Sequence, residues 1–122
     1  IQASTRDFAR FGQFILEGGR VDGRPMLPEG WLQAATHKQV DIGRPGSGYG
    51  YQWWTNDNGA FSAIGIHGQV IHVDPSRGLV IAGNRARPEA NFSPASLQAG
   101  MALFDAIRAA IDAERQAPIG PR

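Results

Sequence analysis

Cysteine is absent from this chain of 122 residues, so no disulfide framework and no thiolate metal site can form, and the redox compartment stays open. Lysine is almost absent: Lys38 stands alone beside eleven arginines, which are scattered rather than gathered into a basic stripe. With a formal net charge of +1, the chain carries no electrostatic footprint for nucleic acid. No apolar run reaches the roughly 20 residues that a membrane-spanning helix requires, so no membrane span is expected. No secretory leader is visible either. The first residue is Ile1, three positions before a helix cap, and the expectation drawn from that start is a piece of a longer polypeptide, natural, made or proteolytic. Bacterial cytoplasm and periplasm are both compatible with it.

A credible nucleophile is the next absence. Serines occur at 4, 47, 62, 76, 93 and 96, and none has lysine three residues on or sits in a G-x-S-x-G elbow. No serine has an obvious base partner in the sequence. His67, His72 and Asp74 lie close enough to suggest zinc. On a strand, however, residues 67 and 72 point to opposite faces, leaving only His72 and Asp74 together, and no metal or other cofactor is expected. "GSGYG" at 46–50 is followed by a strand pattern rather than a helix, so it fails as a phosphate loop.

What is present reads as one packed domain. Hydrophobic residues make up 42% of the chain, enough for a core. Ser4-Thr5-Arg6-Asp7 has the form of a helix-opening box, Phe8, Phe11 and Ile15 recur at helical spacing, and Gly18-Gly19 stops the helix. "RVDGRPML" reads as a turn or hairpin, and "PEGWLQAATH" as a second short helix opened by Pro28. After the glycine-rich loop 41–50, Tyr49, Tyr51 and Trp53 alternate as on one strand face. "FSAIGIHGQVIHVDPSRGLVIAG" reads as two strands, with Asp74–Gly78 as the hairpin connection between them. Ser93-Pro94 opens a long helix carrying Leu97, Met101, Phe104 and Ile111 on one side, ending near Ala113. The expected fold is α+β: an antiparallel sheet of about three strands covered by a long C-terminal helix, with N-terminal helices. Residues 1–40 form the helical segment, 41–116 the sheet strands and closing helix, and 117–122 a flexible tail.

Gly65 and Gly68 are unusual within a strand, where glycine packs nothing and loses the most backbone freedom on folding. They mark either a bulge or a place where something lies against the backbone. The aromatic residues Tyr49, Tyr51, Trp53 and Trp54 wall a ligand cleft or form core.

"YGYQWW", "AIGIHGQVIHVDP" and "LVIAGNRA", together with "ASTRDFARFGQFILEGG", resemble the C-terminal part of the serine β-lactamase and penicillin-binding-protein superfamily. The likeness is to its class C-like esterase and amidase branch, which includes the 6-aminohexanoate-dimer hydrolases, and runs from about residue 3 to 112. The resemblance implies part of a β-lactamase/transpeptidase-like fold and acyl transfer through an acyl-enzyme on a small-molecule amide or ester. The family's Ser-x-x-Lys and Tyr-x-Asn motifs occur nowhere in this chain, so the resemblance places them in a missing N-terminal portion and leaves these residues inactive alone. The Lys-Thr-Gly motif of β-lactamases falls on Ala63-Ile64-Gly65, without its lysine, which favours the esterase and oligoamide-hydrolase branch. By the same resemblance, the backbone N–H of Ile66 is one oxyanion donor, while Gly65, His67, Gly68, Gln69, Tyr49 and Trp53 are candidate substrate-binding residues. His67 reads equally well as structural. A non-catalytic alternative is a self-associating or peptide-binding module that uses an exposed sheet edge, with a homodimer or domain swap as its form.

Overall fold

A computed structural model of the chain describes residues 2–87, 90 and 93–116. It forms two compact units, Ile1–Ala90 and Asn91–Arg122. The first unit holds the N-terminal helices together with the sheet.

The first helix, α1 (Thr5–Leu16), starts where the sequence places it. The Ser4 hydroxyl accepts from the Asp7 N–H at 3.2 Å, and the Ser4 N–H donates to Asp7 Oδ2 at 3.3 Å, closing a capping box. The Ser4 hydroxyl also donates to Asp7, a bond that holds the Asp7 carboxyl below its ordinary range. At the other end the N–H of Gly19 returns to Phe14 O at 2.8 Å. A two-stranded hairpin follows, β1 (Arg20–Val21) and β2 (Arg24–Pro25), turning through Asp22 and Gly23, both at positive φ. α2 (Trp31–Thr36) is shorter than the stretch from Pro28 implied, because residues 28–30 form a turn.

A six-stranded antiparallel sheet completes the first unit. Its strands are β3 (Val40–Asp41), β4 (Ser47–Tyr49), β5 (Trp54–Asn56), β6 (Phe61–Ile64), β7 (Val70–Asp74) and β8 (Leu79–Gly83), each paired with its sequence neighbour. The antiparallel α+β architecture is as expected, but the strand number is six rather than about three. The start of the glycine-rich stretch adds β3, the expected strand through 49–55 is broken into β4 and β5, and the expected strand before Asp74 is itself a hairpin, β6 and β7. The break is a turn: Gly50 N–H donates to Trp53 O at 2.8 Å, and Gln52 adopts φ 65°. Tyr49, Tyr51 and Trp53 therefore do not share a face. Tyr51 is exposed against Trp31, Tyr49 meets Trp54 edge-on, and Trp53 is buried.

Ile15, Ala35, Trp53, Phe61, Ile71 and Val73 make the core, with Phe8, Phe14, Leu32, Ala63 and Val80 packed around them. Gly12 is what lets α1 lie so close to the sheet. A Cβ there would stand 2.5 Å from Val80 Cγ1 and 3.0 Å from Ile71 Cγ2. The second unit is α3 (Pro94–Gln116), which begins beside the expected Ser93-Pro94 opening and runs three residues past Ala113. Phe104 and Ile111 on it are half-buried at helical spacing, whereas Met101 is exposed. The expected tail, 117–122, lies outside the described residues.

Candidate functional site

β6 and β7 are joined by a tight connection. Gly65 N–H donates to Gln69 O and Gly68 N–H donates to Gly65 O, both at 2.9 Å, so residues 65–68 form a β-turn and Gly68 follows as a bulge at φ 94°. Ile66 occupies the first corner of this turn, is half exposed, and lies beyond the last cross-strand pair, Ile64 with Val70. Among the described residues no acceptor meets the Ile66 N–H. A turn amide held in a fixed direction and left without an acceptor is a donor available to a ligand.

Beside the turn is a cleft of about 440 Å³. Gly65 and Gln69 line it from the hairpin, Tyr49 from β4, Gln52 from the β4–β5 bend, and Phe8 and Ile71 from below. Of the residues singled out in the sequence, the fold thus brings Tyr49, Gly65 and Gln69 to one cavity. Trp53 is not among them. It is 7% exposed, stacked on Phe11 and set edge-on against Phe61, inside the core. A second cleft, about 470 Å³ between the β1–β2 hairpin and α2, gathers no residue the sequence marked.

Gly68 is required by its positive φ and by close approach, since a Cβ there would lie 2.9 Å from Arg87 Nε and 3.2 Å from Arg85 Cβ. His67 is tied to the same segment. Its carbonyl accepts from Arg87 N–H at 3.1 Å, and its Nδ1 lies 3.0 Å from Arg87 O. A carbonyl can only accept, so Nδ1 carries the proton in this contact. Gln69 Nε2 donates to Arg85 O at 3.2 Å. The segment after β8 is thereby strapped across the hairpin tip by three hydrogen bonds.

Two features escaped sequence reasoning. Gln52 was missed because nothing in its residue type announces a left-handed backbone. Ser62 and His72, read as lacking a partnership, are 2.8 Å apart across β6 and β7, Oγ to Nδ1. Their pairing was open to view once the hairpin is centred on residue 67, for it sets Ser62 opposite His72. At 7% and 3% exposure the pair is closed to substrate and serves the sheet. Asp74, likewise buried, accepts from Ser76 Oγ at 2.6 Å, Arg77 N at 3.3 Å and Arg77 Nη1 at 2.9 Å.

No family model matches the chain. It is, however, 32% identical over 121 residues to the 6-aminohexanoate-dimer hydrolase of Paenarthrobacter ureafaciens. This chain is similar to part of that hydrolase. The match takes in 89% of this chain and 31% of the hydrolase, so the chain spans less than a third of its relative's length. The likeness to 6-aminohexanoate-dimer hydrolases read from the sequence is thus borne out.

Proposed function

We propose that the chain supplies one wall of an acyl-transfer site in a serine hydrolase that cleaves amide or ester bonds through an acyl-enzyme. In this reading the Ile66 N–H is one of two donors to the tetrahedral oxyanion, Gly65 leaves room for the acyl group along the strand end, and the attacking serine comes from outside these residues. The observation that carries the reading is the Ile66 amide: it follows Gly65, which lines the cleft, in a hydrogen-bonded turn, and it meets no acceptor among the described residues. Kinship with a hydrolase supports it. The name of that protein suggests the substrate class, an amide dimer of 6-aminohexanoate, which in linear form would end in a free carboxylate.

The test uses proline. Proline fits the first corner of a β-turn but has no N–H. Ile66→Pro in the complete hydrolase should lower kcat by about 100- to 1,000-fold, the loss expected for one oxyanion donor, with KM little changed. An unaltered kcat would end the proposal. The 122 residues alone should not turn over p-nitrophenyl esters, because neither Ser-x-x-Lys nor Tyr-x-Asn occurs in them.

A second, non-catalytic reading rests on β8. It ends the sheet, and its five residues "LVIAG" contain no charge and no proline to discourage pairing with another strand.

A further inference from the structure

Arg85 and Arg87 follow β8 and lie against the hairpin tip, as the approach of Arg87 Nε and Arg85 Cβ to Gly68 shows. Their backbone is fixed there: Arg87 N–H is held by His67 O, Arg87 O by His67 Nδ1, and Arg85 O by the Gln69 side chain. Neither arginine lines the cleft itself, but Gln69, whose side chain holds Arg85 O, is one of its walls. Neither guanidinium forms an ion pair among the described residues, whereas Arg10, Arg77 and Arg108 each have an aspartate. Two arginines on a backbone tied to one wall of the cleft, with no carboxylate partner among the described residues, suit an external anion. A planar guanidinium fork fits a carboxylate through two parallel hydrogen bonds, and a fixed backbone reduces the ordering cost of making them.

We propose that Arg85 and Arg87 form a carboxylate subsite at the rim of the cleft and take the free carboxylate end of a linear amide substrate. The proposal rests on the reading of the cleft as an acyl-transfer site. It also gives the glycine at 68 a second purpose, since any side chain there would displace Arg87.

Binding, rather than turnover, tests this separately from the chemistry. The chain is titrated with N-acetyl-aminohexanoate and, in parallel, with its uncharged methyl ester, and the Arg Nε–Hε and Gly68 amide signals are followed by heteronuclear NMR. The carboxylate should move the Arg87 Nε and Gly68 signals in a saturable, salt-sensitive manner, and the ester should not. Arg87→Gln should weaken carboxylate binding about tenfold or more, the loss of a charge-assisted pair, and Arg85→Gln should weaken it less. Equal shifts with both ligands, no shift with either, or undiminished binding in both variants would overturn the subsite. Because no bond is cleaved in this experiment, its outcome is independent of whether Ile66→Pro abolishes catalysis.

Discussion

Gln52 holds φ 65° without being glycine, a conformation that costs a side chain-bearing residue about 1 kcal/mol or more. It does so on the wall of the candidate cleft, where its carboxamide can meet a substrate amide. Gln52→Gly is therefore expected to leave the denaturation midpoint unchanged or raise it by up to about 1 kcal/mol of stability. The same change should weaken binding of an amide ligand by about three- to tenfold, through one lost hydrogen bond. A loss of both stability and affinity would mark Gln52 as structural. Asp74 behaves in the opposite way, as a residue serving the fold alone. Its burial pushes the carboxyl pKa up, but the hydrogen bonds from Ser76 and Arg77 and the Arg77 charge outweigh burial, and the net direction is down from 3.8. A carboxyl with a lowered folded pKa adds stability above its unfolded pKa and loses it as pH falls through the folded value. Unfolding free energy measured from pH 6 downward should thus decline below about pH 4, and Asp74→Asn should flatten that decline while destabilising the protein at neutral pH.

Among the elements, the seating of α1 on β7 and β8 decides how the cleft is floored, because Phe8 comes from this helix and Ile71 from the strand beneath it. Gly12→Ala sets two effects against each other. Alanine in a helix interior gains about 1 kcal/mol over glycine, while the stiff Val80 side chain leaves only 2.5 Å for the new methyl group. Overpacking of this kind costs about 1–3 kcal/mol, so a net loss is expected. In a thermal denaturation series, Gly12→Ala with Val80→Ala should lose less than the two single changes summed, since the second opens room for the first. Elements also differ in how plainly their residues announce them. α1 could be read to its caps because Ser4, Asp7, the Phe8–Phe11–Ile15 stripe and Gly18-Gly19 all act within a few residues of one another. β3, β4 and β5 could not, since strands of two or three residues carry no period and the bend at 50–53 depends on Gln52. The strap of Arg85 and Arg87 over Gly68 joins positions far apart in the chain, and only the β6–β7–β8 register brings them together.

At the scale of the molecule, the sheet has two ends. β3 is two residues long, and Lys38 and Asp41 beside it place charge at that end. β8 is five residues long and wholly apolar. If the β8 edge recruits a second copy of the chain, sedimentation velocity should show a concentration-dependent dimer, and Ile81→Lys should shift it toward monomer. A single monomer species at high concentration would remove the self-association reading. The fold class was readable in advance from strand patterns bounded by Asp57-Asn58-Gly59 and Asp74–Gly78. The site was readable only as far as the residues that share the β6–β7 hairpin, because Tyr49, Gln52 and Phe8 reach the cleft through tertiary packing.

The three indole rings occupy three different surroundings: Trp53 is sealed between phenylalanines, Trp31 lies open against Tyr51, and Trp54 is partly open against Tyr49. Emission from this chain should accordingly separate into a blue component that iodide cannot quench and a red one that it can. Trp54, set edge-on to a tyrosine that borders the cavity, is the natural optical reporter of an occupant.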